Sequence, residues 1–374
     1  MSNPFIYNAV VTDDAFCGRE QVIEQITDKI QNSVNILLYS KRRYGKTSLI
    51  KEILKNHLPK DTMKIYTDLF SITDETDFAR QVSFGIADSG RKKDIGEMIK
   101  DLGSILKNIK LSFSTDAAGN VSVTPSFEAA NFSFDIWFEN VFDNLNSFLK
   151  KSNRRGCIVF DEFQQIEIIK KYNIEALLRS KVQNHSNISY IFTGSKQHIL
   201  TNMFQNAARP FYTLADIIEL EPIDRTTFFQ FVQKKFNKNG QHITQQAFDR
   251  IYSMSFGETR FIQKMCHILY NMNQQNLDED MATSALEAVI QDSDSLFRNY
   301  FPNNFSATQK KVLMILAHHD ENLFSKEISR QYDIPTASIQ QVLKSLEEKL
   351  TIYKDGSKYM IYDVEFYHWL KKIA

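Results

Sequence analysis

The segment at 35–50, Asn-Ile-Leu-Leu-Tyr-Ser-Lys-Arg-Arg-Tyr-Gly-Lys-Thr-Ser-Leu-Ile, restricts the folds open to this chain more than any other. Ile36, Leu37, Leu38 and Tyr39 form an apolar run of the kind buried on both faces of a parallel sheet. From Thr47 to residue 54 the apolar spacing is helical. Between them, Ser-Lys-Arg-Arg-Tyr-Gly-Lys-Thr at 40–47 departs at one position from the phosphate-binding pattern G-x-x-x-x-G-K-[ST]. In such a loop, backbone N–H groups surround phosphate oxygens where a helix begins. Lys46 would reach the β- and γ-phosphates and the Thr47 hydroxyl a magnesium ion. Ser40, Lys41, Arg42, Arg43, Tyr44, Gly45 and Ser48 complete the expected cradle. Ser40 replaces the first glycine, and its Cβ makes unusual backbone conformations less accessible.

A second segment supports the first. Cys-Ile-Val-Phe-Asp-Glu-Phe-Gln-Gln-Ile at 157–166 is a buried strand that ends in two carboxylates. The carboxyl ends of parallel strands are the ligand edge of an open sheet. There Asp161 would hold magnesium through its water shell, and Glu162 would orient and polarise an attacking water. The strand at 188–193 ends in Thr193, Gly194 and Ser195. Either hydroxyl would stand near a γ-phosphate, or the pair is an ordinary strand-to-turn cap. Strands expected at 35–40, 64–70, 157–161, 188–193 and 216–221 alternate with helical stretches, which calls for a five-stranded parallel sheet in an α/β fold. Alternation on both sides of Gly119-Asn120 marks a β-hairpin inserted at about 109–125.

With 374 residues, 43% hydrophobic and 24% charged, the chain has the composition of a folded protein of two or three domains. Its formal net charge is zero, so no global field draws it to nucleic acid or to an anionic membrane. Cys17, Cys157 and Cys266 are too few and too scattered for a disulfide framework or a zinc site. No signal-like leader and no bilayer-length apolar run occurs, and a cytoplasmic location is expected.

Beyond residue 224 the pattern is helical, and 224–291 reads as a small helical subdomain, with 292–304 as a linker with partial helix. Arg260, three residues after Gly257, either reaches the nucleotide or lies on the surface at a helix start. From 305 to 374, three helices and a hairpin at Lys-Asp-Gly-Ser describe a winged helix-turn-helix. That segment has ten Lys and Arg against nine Asp and Glu. DNA affinity rests largely on cations meeting phosphates, so charge favours a protein partner or autoinhibition over DNA.

Phe-Cys-Gly-Arg-Glu at 16–20, the loop at 40–48, Phe-Asp-Glu-Phe-Gln at 160–164, Phe-Thr-Gly-Ser at 192–195 and the winged helix together resemble the archaeal-type prokaryotic ATPases. These belong to the STAND branch of AAA+-like P-loop proteins. The resemblance implies an ATPase domain at 1–223, a helical lid at 224–291 and a winged helix at 305–374. It implies ATP or ADP with Mg²⁺ bound between the α/β domain and the lid. By position, Lys46, Glu162, Ser195 (or Thr193) and Arg260 are the catalytic set, and Thr47 and Asp161 hold the metal. Gly18 and Arg19 either form a turn before a helix or lie near the adenine. Thr259 stands where many signalling relatives have proline, and Arg260 instead resembles the second sensor of other AAA+ proteins. Arg179 and Arg209 are candidates for an arginine acting in trans. The expected function is a slow ATP switch coupled to a protein partner or to homo-oligomerisation. The alternatives are a DNA-binding initiator or mobile-element regulator, and a nucleotide-dependent scaffold for a toxin or nuclease.

Overall fold

The computed structural model describes residues 2–89, 95–107, 109–115, 121–127, 132–319 and 321–373. They form two compact units. The α/β unit comprises Arg19–Ser40 and Lys46–Glu221; the helical unit comprises Met1–Gly18, Lys41–Gly45 and Pro222–Ala374.

The α/β unit contains β1 (Ile36–Tyr39), β2 (Met63–Asp68), β3 (Lys110–Thr115), β4 (Val121–Ser126), β5 (Gly156–Asp161), β6 (Ile188–Gly194) and β7 (Asp216–Glu219). A five-stranded parallel sheet runs in the order β2-β5-β6-β1-β7. Strands β1, β5 and β6 are buried at every position, as expected of mainly apolar strands inside a parallel sheet. At the edges the pattern changes: β2 alternates, and β7 buries only Ile218. Tyr39 pairs in register with Gly194, and Phe160 with Phe192, so the ends of β1, β5 and β6 emerge at one edge of the sheet.

Helices α1 (Glu20–Gln31), α2 (Lys46–Glu52), α3 (Glu75–Ser89), α4 (Ile95–Ile105), α5 (Phe134–Lys151), α6 (Ile174–Val182) and α7 (Gln197–Gln205) complete this unit. On α5, Phe134, Trp137, Phe138, Val141, Phe142, Leu145 and Leu149 recur at helical spacing and are all buried. Each such side chain contributes about 1.5–3 kcal/mol when fully removed from water. Phe160, next to Asp161, stacks on Phe78, Tyr190 and Phe192 at interplanar angles of 20°, 13° and 19°. This aromatic packing makes the end of β5 a rigid base for its carboxylates. The hairpin of β3 and β4 pairs antiparallel and only with itself, while Leu111, Val123 and Phe127 rest on the core. Its Gly-Asn turn at 119–120 lies outside the described residues.

The helical unit holds α8 (Arg225–Asn237), β8 (His242–Ile243), α9 (Gln245–Met254), α10 (Thr259–Asn271), β9 (Asn276–Leu277) and α11 (Glu279–Asn304). There follow α12 (Ala307–His318), α13 (Lys326–Gln331), α14 (Thr336–Glu348), β10 (Ile352–Asp355), β11 (Lys358–Ile361) and α15 (Val364–Ile373). The linker with partial helix expected at 292–304 is helical throughout, as the second half of α11, which runs for 26 residues. Burial of Ile290, Ser293 and Phe297 gives that half a packed stripe, which outweighs the breaking tendency of Pro302 in the last turns. Phe297 meets Phe366 and Trp369 of α15, a helix that the sequence reading did not assign. Two apolar cores result. Phe228, Phe248, Phe261 and Leu269 belong to one, and Leu313, Ile339, Leu343, Phe366 and Trp369 to the other. Among the described residues no helix is long and apolar enough to cross a membrane.

Candidate functional site

In the α/β unit the side chains expected to handle phosphate and metal are adjacent. Lys46 opens α2, is only 7% exposed, and donates to the Ser40 hydroxyl at 3.1 Å and the Ser40 carbonyl at 3.3 Å. The serine that replaces glycine is therefore a partner for the buried ammonium. Positive φ in this loop falls at Arg43 (64°) and Gly45 (88°), not at Ser40, so the Cβ at 40 meets no left-handed backbone.

Thr47 donates to Oδ2 of Asp161 at 3.0 Å, and the Tyr66 hydroxyl donates to the same oxygen at 2.6 Å. Tyr66 was not foreseen; its position inside β2 carries no local signature. Burial, and next the Asp161 charge, pushes the Tyr66 phenol well above its ordinary value, so it remains a donor. Glu162 follows in a left-handed conformation (φ 53°). Its Oε2 accepts from Ser195 Oγ at 2.9 Å and from Gln164 Nε2. Of the two candidate hydroxyls, Ser195 therefore meets Glu162. Thr193 is fully buried inside β6, and its hydroxyl has no hydrogen-bond partner among the described residues.

The tip of the loop, Lys41–Gly45, packs within the helical unit. Lys41 pairs with Asp355 at 2.8 Å and lies over the Tyr353 ring. Arg43 pairs with Asp363 at 2.9 Å, and its carbonyl accepts from the Arg260 N–H at 3.3 Å. Tyr44 donates to the Phe256 carbonyl at 3.2 Å. Arg260 in turn pairs with Glu365 at 2.9 Å, as does Lys264 at 2.7 Å, and Ser293 donates to the same carboxylate. Burial alone would raise the Glu365 carboxyl, but the hydrogen bond and charge of Lys264, with Ser293 and Arg260, hold it below its ordinary value. Glu258 lies 4.0 Å from Arg43 and is only 3% exposed. Burial raises it to about 8 against the opposing pull of Arg43. Sequence reading missed Asp355, Asp363, Glu365 and Glu258, because partners up to 320 residues apart leave no trace in local spacing.

The remaining candidates are placed as follows. Gly18 (φ 63°) packs at Ile223 and Thr227, and Arg19 donates to the Glu221 carbonyl at 2.8 Å. Arg42 is exposed, and Ser48 lies in the first turn of α2. Arg209 is held by Glu167 and Glu175, and Arg179 by the carbonyls of Pro210 and Tyr212. Both arginines are thus engaged inside their own unit.

These donors suit a magnesium nucleotide. A buried ammonium and a hydroxyl touching a carboxylate are groups that a phosphate-bearing ligand and its cation would engage. No group of three or more His, Cys, Asp or Glu able to hold a metal occurs among the described residues. An ion at Thr47 and Asp161 would therefore complete its shell with phosphate and water oxygens, as magnesium does.

Residues 16–265 match a family described as an ATPase domain predominantly from Archaea, and residues 295–372 match a probable winged helix domain. An uncharacterized ATP-binding protein of Methanocaldococcus jannaschii is 27% identical over 241 residues, which is 59% of this chain and 61% of its own length. The chain thus spans less than two thirds of that relative. A second such protein of the same organism is 26% identical over 298 residues, 74% of this chain and 78% of its own. Among solved structures, the Walker-type ATPase PABY2304 of Pyrococcus abyssi aligns with a TM-score of 0.69 at 17% identity, covering 98% of this chain and 99% of its own. The ORC2 protein of Aeropyrum pernix, in ADPNP–ADP complexes, aligns with a TM-score of 0.58 at 12% identity, covering 100% and 96%. At these identities the structural likeness establishes a shared fold.

Proposed function

This chain belongs to the ATPase family found predominantly in Archaea, and from that premise we propose that it is a magnesium-dependent, slowly hydrolysing ATP switch whose winged helix reports nucleotide state to a protein partner or a second copy. Lys46 would bind the β- and γ-phosphates, exchanging its hydrogen bond to the Ser40 hydroxyl for them. Thr47 and Asp161 would hold magnesium, which neutralises phosphate charge when bound. Glu162 would take a proton from water as the water oxygen bonds to the γ-phosphorus and the bond to the β–γ bridging oxygen breaks. Ser195 would orient Glu162. The division into ATPase (1–223), lid (224–291) and winged helix (305–374) is part of the same proposal, as is a cytoplasmic location.

The observation that carries the switch reading is the set of acidic side chains at the wing and α15. Asp355, Asp363 and Glu365 sit on Lys41, Arg43 and Arg260, cations that a triphosphate also attracts. Carboxylate and phosphate compete for guanidinium through the same hydrogen-bond geometry. A ligand that binds one arrangement better shifts the population toward it. The near-zero net charge of the winged-helix segment leaves DNA the less favoured partner.

Lys46→Ala tests the reading. ATP affinity should fall by roughly 10-fold or more, the loss of one buried charge-assisted contact, as measured by fluorescent-nucleotide titration. Unchanged affinity and turnover in that variant would end the proposal.

A further inference from the structure

We propose that Gln164 is a positioning residue that pins one oxygen of the Glu162 carboxylate and so presents the other to water, and that position 194 is glycine because this amide occupies the space of a side chain. The inference rests on Glu162 being the proton acceptor of the reaction proposed above.

Gln164 lies in the short turn Phe163–Ile168 that follows β5 and is only 3% exposed. An amide taken so far from water is costly unless its polar atoms are bonded. Its Nε2 donates to Oε2 of Glu162, the same oxygen that receives the Ser195 hydroxyl at 2.9 Å. Two donors on one oxygen restrict the carboxylate to a narrow range of rotation. Oε1 of Glu162 accepts no hydrogen bond among the described residues. Glu162 also has a left-handed backbone (φ 53°, ψ 41°), which a side chain holds only where its surroundings over-determine it.

The far side of the amide explains the glycine. Oε1 of Gln164 is buried without a hydrogen-bond partner among the described residues, and a Cβ on Gly194 would stand 1.9 Å from it. The same Cβ would lie 3.1 Å from Gln164 Cδ and 3.2 Å from Leu200 Cδ1, so the amide would have to leave its present place. Turning the amide over would set its oxygen against Glu162 Oε2, acceptor against acceptor. Gly194 and Ser195 thus act on one carboxylate from adjacent positions: one leaves space for a donor, and the other supplies a second donor.

The test measures turnover and ATP affinity on the full chain with Mg-ATP for wild type, Gln164→Leu, Gln164→Met, Gly194→Ala and Glu162→Gln. Gln164→Leu and Gly194→Ala should lower kcat by roughly 10-fold or more while ATP affinity stays within about twofold, since misplacing a catalytic group by an ångström costs up to about 10²-fold. Gln164→Met, of similar length and volume, keeps the space filled and removes the donor. It should lose turnover as Gln164→Leu does, again with ATP affinity within about twofold. A residue that merely fills space would leave kcat unchanged in this variant. Thermal unfolding of each variant checks the fold, and Gln164→Met carries the test where Gln164→Leu loses stability. The inference is overturned by Gln164→Leu or Gln164→Met turning over at the wild-type rate. If Glu162→Gln itself hydrolyses ATP normally, the proton-acceptor reading fails and this one with it. If Glu162→Gln is inactive while Gln164→Leu is not, only the role of Gln164 falls.

Discussion

Ser40, Lys46, Thr47, Asp161, Glu162 and Ser195 form a chain of polar contacts in which every buried charge has a partner of its own unit. An unpartnered ammonium or carboxylate at such burial would carry a large desolvation penalty. Ligand binding then exchanges partners instead of creating charge interactions from nothing. For Glu162→Gln the amide keeps the shape and loses the basicity. ATP affinity should be retained while turnover drops by about 10²- to 10⁴-fold, the usual contribution of a general base, measured as phosphate release beside nucleotide titration. Equal turnover would remove Glu162 from the reaction. At this scale the two motifs were legible, because strand–loop–helix and strand–acid patterns are local. Tyr66 and Gln164 were not, since nothing in their neighbours says that they fold onto Asp161 and Glu162.

At the scale of elements, the wing hairpin and α15 supply the acids that meet the loop tip and α10. Glu365 serves Arg260, Lys264 and Ser293 at once, and Asp363 serves Arg43. If these carboxylates compete with phosphate, Asp363→Asn combined with Glu365→Gln should tighten ATP binding by about fivefold or more, the lower range of coupling between linked sites. Isothermal titration would measure it, and an unchanged or weaker affinity counts against competition. Helix α11 shows how tertiary packing overrides local composition. Asp-Ser-Asp-Ser at 292–295 reads as linker, yet Ser293 is buried and Phe297 packs on Trp369. Asp292 and Ser295 face outward, while Ser293 and Asp294 find hydrogen-bond partners in Glu365 and Trp369 of α15, so the polar run is kept in the helix by its tertiary contacts.

At the scale of the molecule, Glu258 links stability to pH. Its folded value of about 8 lies above the ordinary carboxylate value, so the folded state holds the proton more tightly than the unfolded chain. That contribution is fully present below the unfolded value and is lost as pH rises through about 8. Stability should fall by at most roughly 1.4 kcal/mol per pH unit across that window, and Glu258→Gln should flatten the slope in denaturant titrations at several pH values. A slope that persists in the variant would assign the effect to another group. For the switch reading, light scattering with size exclusion under ADP and a slowly hydrolysed ATP analogue, with and without duplex DNA, should show a nucleotide-dependent change in mass that does not require DNA. Identical profiles in every condition would rule out a second copy as the reader of nucleotide state.

Local order in this chain was readable from residue order alone. Apolar runs marked the parallel strands, helical stripes marked most of the helices though not α15, and the Gly-Lys-Thr and Asp-Glu segments carried recognisable chemistry. These features depend on neighbours a few residues apart, whose side chains share a face or a turn whatever the rest of the chain does. The placement of β6 between β1 and β5, the bond from Lys46 to Ser40, the amide of Gln164 in the space left by Gly194, and the carboxylates on Arg43 and Arg260 depend on folding. Each joins groups that become neighbours only when strands take their order and cores close, so a one-residue departure at Ser40 acquires its meaning from a side chain six positions away.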